Sequence, residues 1–82
     1  MKKLKLKFAV NDQNPQNIII YDMESDTEML LNEQASLILL NGEKPIDEIV
    51  DLFHKEYYIR SDSMLISDIQ NMQAFFEETL YE

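Results

Sequence analysis

Thr27-Glu-Met-Leu-Leu-Asn-Glu-Gln-Ala-Ser-Leu-Ile-Leu-Leu-Asn-Gly42 decides the fold, because the period of the sequence changes inside it. From Thr27 to Leu31 the side chains alternate, with Met29 and Leu31 pointing one way and Glu28 and Leu30 the other, which is the pattern of a short strand. At Asn32 the pattern turns helical. Asn is a favoured N-cap, Glu33 and Gln34 occupy the first turn where the helix dipole favours acidic groups, and Ala35 to Leu40 is an apolar helix closed by Asn41-Gly42.

Toward the N-terminus, Met23 to Asp26 reads as a polar turn and Ile18 to Tyr21 as a second, β-branched strand. Asn11 to Asn17, with Pro15 inside it, is turn chemistry. Before it, Lys3 to Val10 alternates apolar and polar residues, which predicts a first strand with Leu4, Leu6 and Phe8 on one face. Toward the C-terminus, Pro45 suits the first turn of a second helix whose Ile46, Ile49, Val50, Phe53 and Tyr57 recur at three- and four-residue intervals. Ser61 or Asp62 caps a third helix running to about Leu80, with Leu65, Ile66, Ile69, Met72, Phe76 and Leu80 along one broad face. The expected fold is α+β: three N-terminal antiparallel strands followed by three helices, in a single domain over residues 1–82. A sheet this small needs helices on its apolar face to be stable.

Composition narrows the function. With 82 residues there is room for one core, and a hydrophobic share of 45% with one Gly and two Pro belongs to a globular chain. No cysteine is present, so disulfides and thiolate metal sites are excluded and a reducing, cytoplasmic setting is expected. No apolar run is long enough for a signal peptide or a membrane span. The formal charge is -9, and Lys2, Lys3, Lys5 and Lys7 hold four of the seven basic residues. The rest of the chain is therefore strongly acidic and repels phosphate backbones and anionic membranes, so neither nucleic acid nor membrane is an expected partner.

The inventory for catalysis is thin: one His, no Cys and no phosphate-cradling Gly-rich loop. His54, with no second His or Cys nearby, is expected at the border of an apolar helix face rather than on a metal. Asp47/Glu48 and Glu77/Glu78 are sequence neighbours that diverge by about 100 degrees on a helix, so they do not converge on a substrate. Asp22, Glu24, Asp26 and Glu28 alternate like calcium ligands but lack the mid-loop Gly and terminal Glu of a calcium loop. No catalytic residue, metal ligand or cofactor is assigned.

The stretch Leu-Asn-Glu-Gln-Ala from Leu31, its apolar helix, the Gly42 that follows, and the second helix beginning near Ile46 resemble the family of the pyrroloquinoline quinone biosynthesis accessory protein. Asp68-Ile69 followed by Met72 and Phe76 resembles that family's third helix, and the likeness covers roughly Leu30 to Leu80. The resemblance implies a winged-helix-like domain that recognises the leader region of a ribosomally made precursor peptide and presents it, as a peptide chaperone, to a modifying enzyme. That enzyme would be a radical or ATP-dependent maturase or a leader protease. It also implies that the leader docks as an added antiparallel strand on the third strand, in a groove walled by the third helix. On this sequence those positions are Thr27, Glu28, Met29, Leu30 and Leu31, with Leu65, Ile69, Met72, Gln73 and Phe76 opposite. Gln73 departs from the family, which has an apolar residue there, and makes that wall more polar.

The mechanism suits the residues. An exposed strand edge offers backbone bonds of about 0.5–1.5 kcal/mol net each. Two apolar anchors would add about 1.5–3 kcal/mol each before ordering costs, for binding around micromolar or tighter. Apolar residues at helical spacing ordinarily fill a core, which applies first to Ile69 and Phe76, while Leu65, Met72 and Phe75 divide between core and guest. Leu30, opposite in pleat to Leu31, is the residue more available to a partner. Two other readings have less support. A DNA-binding winged helix would present Ser61 to Glu82, which carries five acidic residues and no Lys or Arg, to phosphates. A self-associating module would pair the same edge with a second copy, so a monomer or a weak homodimer is expected. The Lys-rich start and the end at Glu82 just after the third helix give the expectation of a stand-alone unit.

Overall fold

The computed structural model describes residues 3–82 and runs β1 (Phe8–Asn11), β2 (Ile19–Asp22), β3 (Thr27–Leu30), α1 (Glu33–Leu40), α2 (Ile46–Glu56) and α3 (Asp62–Thr79). The α+β order of three strands and three helices is the one the sequence predicts. The sheet is antiparallel in the order β1-β2-β3, with Phe8 opposite Asp22 and Ile20 opposite Met29.

Local chemistry sets the helix boundaries. The Asn32 side chain accepts from the Ala35 N–H at 2.8 Å, and the Ser61 hydroxyl accepts from the Met64 N–H at 3.3 Å, so both caps fall where side-chain acceptors allow them. Pro45 precedes the first residue of α2, where its missing N–H costs nothing. The end of α1 departs from expectation. Gly42 does not adopt a positive φ, and closure is made by Asn41, whose side-chain amide donates to the Leu37 carbonyl at 2.8 Å. Among the described residues the one in left-handed backbone is Asp26 (φ 55), which ends the β2–β3 turn and bonds the Tyr21 hydroxyl.

That turn is held from its start. The Asp22 carboxylate accepts from the N–H groups of Glu24 at 3.0 Å and Ser25 at 3.3 Å, and lies 3.7 Å from the Lys7 ammonium. Burial pushes its pKa up, but those N–H groups and Lys7 outweigh burial and hold it below its ordinary value.

The first strand is shorter than the alternation Lys3 to Val10 implies. The chain turns at Leu6-Lys7, where the Phe8 N–H donates to the Lys5 carbonyl at 3.1 Å, so Leu6 is exposed instead of sharing a core face with Leu4 and Phe8. Leu4 instead forms a bridge with Tyr81, fixed by Lys5 N–H to Leu80 C=O and Glu82 N–H to Lys3 C=O, both 2.8 Å. Residues 3–5 and 80–82 thus close on each other.

One core joins sheet and helices. Phe8, Ile18, Ile20 and Leu31 from the sheet side meet Ile38, Ile49, Phe53, Ile69 and Phe76 from the helices. Its one buried polar residue among those described, Ser36 on α1, accepts the Ile18 N–H at 3.0 Å and ties the start of β2 to α1. Because Ser36 is fully buried, that bond satisfies groups that would otherwise cost about 1–3 kcal/mol.

Candidate functional site

β3 lies at the edge of the sheet with β2 on one side only. The Leu31 N–H donates to the Ile18 carbonyl at 2.8 Å, and Met29 and Thr27 keep the same parity opposite Ile20 and Asp22. Alternation then turns the N–H and C=O groups of Glu28 and Leu30 outward, away from β2. This is a short, open ladder.

Beside the end of β3 lies a groove of about 1100 Å³, bounded by α1, the loop from Tyr58 to Ser61, and α3. Its floor is the top of the core: Leu31, Ala35, Ile38, Phe53 and Ile69 are all buried. Leu65 and Met72 on α3 are half-buried and form one wall. The rim consists of Leu30, Tyr58, Met64 and Phe75, which are 66%, 90%, 68% and 44% exposed. These are half of the eight exposed large apolar side chains among the described residues, and such a concentration around one cleft marks an interaction site rather than scattered surface apolarity.

Folding sets this rim in two ways. Phe75 and Phe76 are neighbours on α3 and diverge by about 100 degrees, so when Phe76 enters the core Phe75 must leave it. The loop carrying Tyr58 is pinned at its far end, where the His54 imidazole Nε2 donates to the Asp62 carboxylate at 2.7 Å, linking the end of α2 to the start of α3. At its near end Tyr57 packs on Phe53, ring centres 5.5 Å apart. Burial and the Glu33 carboxylate push the Tyr57 hydroxyl pKa up, so it stays protonated.

Of the positions named from sequence, the structure brings Leu30, Leu31, Leu65, Ile69 and Met72 together around the groove. Thr27, Glu28 and Met29 lie on β3 outside it: Thr27 and Glu28 are exposed, and Met29 packs half-buried on the core. Gln73 and Phe76 lie on the other side of α3. Phe76 is buried, and both line a second hollow of about 500 Å³ with Leu40, Lys44 and Tyr81. Sequence reading missed Tyr58, Arg60 and Met64. Met64 and Tyr58 had a signal, as large apolar residues placed off the buried stripes of α3 and α2. Among the described residues no group of three or more His, Cys, Asp or Glu could hold a metal ion, and no helix is long and apolar enough to cross a membrane.

No protein-family model and no curated protein sequence matches the chain. Solved structures do. One is a lasso peptide synthetase B1 complexed with the leader peptide (TM-score 0.74, 17% identity, 99% of this chain and 96% of that one). Another is TbiB1 in complex with the TbiA(beta) leader peptide (TM-score 0.68, 20% identity, 98% and 94%). At these identities the likeness shows a shared fold over nearly the whole chain.

Proposed function

We propose that this chain binds the leader region of a ribosomally made precursor peptide as an added strand on β3 and presents it, without chemistry of its own, to a modifying enzyme or leader protease in the cytoplasm. The observation that carries this reading is the outward-facing backbone of Glu28 and Leu30 alongside a groove with an apolar floor and rim. An extended guest gains ladder bonds from that edge, while its alternate side chains drop onto Leu31, Leu65, Ile69 and Met72. The two structural neighbours, both solved with leader peptides, support the same reading.

Thr27 to Leu31 supply the docking edge in this account, and Leu65, Ile69 and Met72 the opposite wall. Gln73 and Phe76, on the far side of α3, support that wall from behind. The test is titration calorimetry with synthetic peptides covering the leader of a short precursor encoded beside this protein, followed by amide hydrogen exchange. Binding around micromolar with new protection at Glu28 and Leu30 is expected. Binding that leaves those two amides unprotected would exclude strand addition on β3.

A further inference from the structure

Arg60 is the chain's single arginine, and it lines the groove from the loop just before α3. In so acidic a chain an arginine has many possible partners, yet among the described residues it makes no ion pair or hydrogen bond. Its sequence neighbour Asp62 is engaged by His54 instead. Asp68 also lines the groove and is also unpaired among the described residues. The groove therefore carries one positive and one negative pole among apolar and uncharged polar residues, with the positive pole at the N-terminus of α3, where the helix dipole reinforces it.

The spacing of the poles has a consequence for a guest. Arg60 and Asp68 are separated by about 14 Å along the axis of α3, from seven helical steps of about 1.5 Å each and one extended step of about 3.3 Å before Ser61. An extended guest rises about 3.3 Å per residue and covers that span in about four residues. Four is even, so both guest side chains leave the same face, and the residue midway between them also points into the groove, over Leu65.

Resting on the reading that the groove takes an extended peptide, the geometry points to Arg60 and Asp68 as a register clamp: the guest carries Asp or Glu against Arg60 and, four residues away, Lys or Arg against Asp68, with an apolar residue midway. Arginine holds a carboxylate through two parallel N–H donors, which fixes geometry as well as charge. The acidic remainder of the surface repels a guest carboxylate wherever Arg60 is not, so a slipped register loses both pairs.

The test is selection from a messenger-RNA-displayed library of random 12-residue peptides on the immobilised chain, repeated on Arg60→Glu, Asp68→Lys and Met72→Asp variants whose circular dichroism matches the parent. The parent pool should be enriched in an acidic and a basic residue four apart around an apolar one. The Arg60→Glu pool should replace the acidic residue with Lys or Arg. A peptide from the parent pool should lose about tenfold in affinity for Arg60→Glu and regain it when its own acid is changed to Lys. A parent pool that is lost on Met72→Asp but shows no charge spacing, or an unchanged pool on Arg60→Glu, overturns the clamp while leaving peptide binding standing. Failure to enrich any peptide overturns both.

Discussion

β1 and β3 both lie at edges of the sheet, and both turn alternate backbone groups away from β2: Phe8 and Val10 on β1, Glu28 and Leu30 on β3. The surroundings separate them. The Phe8 N–H is already taken by the Lys5 carbonyl, Lys7 lies over the Phe8 ring at 5.0 Å, and β1 lines neither the groove nor the second hollow. Lysine beside a short edge is a common guard against unwanted pairing. β3 has no such guard and opens onto an apolar groove. An open ladder alone does not make a binding site; it becomes one where the core continues past the strand as a surface a guest can cover.

Placing a charge in the groove should have the largest effect. Leu30→Asp and Met72→Asp should each weaken peptide binding by about 2–3 kcal/mol, since an unpaired carboxylate would be desolvated by the guest, while circular dichroism stays near that of the parent. Unchanged affinity would remove these residues from the site. Ser36→Ala acts one layer below, leaving the Ile18 N–H unsatisfied in the core. Stability in urea should fall by about 1–3 kcal/mol, and affinity should fall by less than for the groove variants.

Smaller effects belong to the guarded side. Lys7→Gln removes a cation–π contact and an exposed ion pair, so it should cost under about 1 kcal/mol of stability and leave peptide affinity unchanged. Asp22 has a pKa below its ordinary 3.8, so its contribution is present above that value and is lost as pH falls through the lower, folded value. Acid titration of stability should show a small loss below about pH 4 that Asp22→Asn abolishes.

The helices were legible because their signals are local. Asn32 and Ser61 each accept from an N–H three residues on, Pro45 fixes the backbone at the start of α2, and the stripe Ile49, Val50 and Phe53 is buried as its spacing implies. The presence of three strands and the turn at Met23 to Asp26 were equally plain. The start of β1 was not, because Leu4 is placed by Tyr81, more than seventy residues away, and the turn at Leu6 breaks an alternation that suited a continuous strand. Half of the groove was legible for the same reason: Leu30, Leu31, Leu65, Ile69 and Met72 follow from β3 and the α3 stripe. Tyr58 and Arg60 lie in a loop with no periodicity, and only the packing of α2 against α3 brings them to the site.

Two proline substitutions test the contrast between the edges directly, since proline is tolerated where a strand N–H faces outward but removes that donor from any added strand. Glu28→Pro on β3 and Val10→Pro on β1 both keep their bonds to β2. With a leader peptide titrated into each, the account predicts at least about a tenfold loss of affinity for Glu28→Pro and parent-like affinity for Val10→Pro. Parent-like binding to Glu28→Pro, or loss on Val10→Pro with the fold intact, would contradict it.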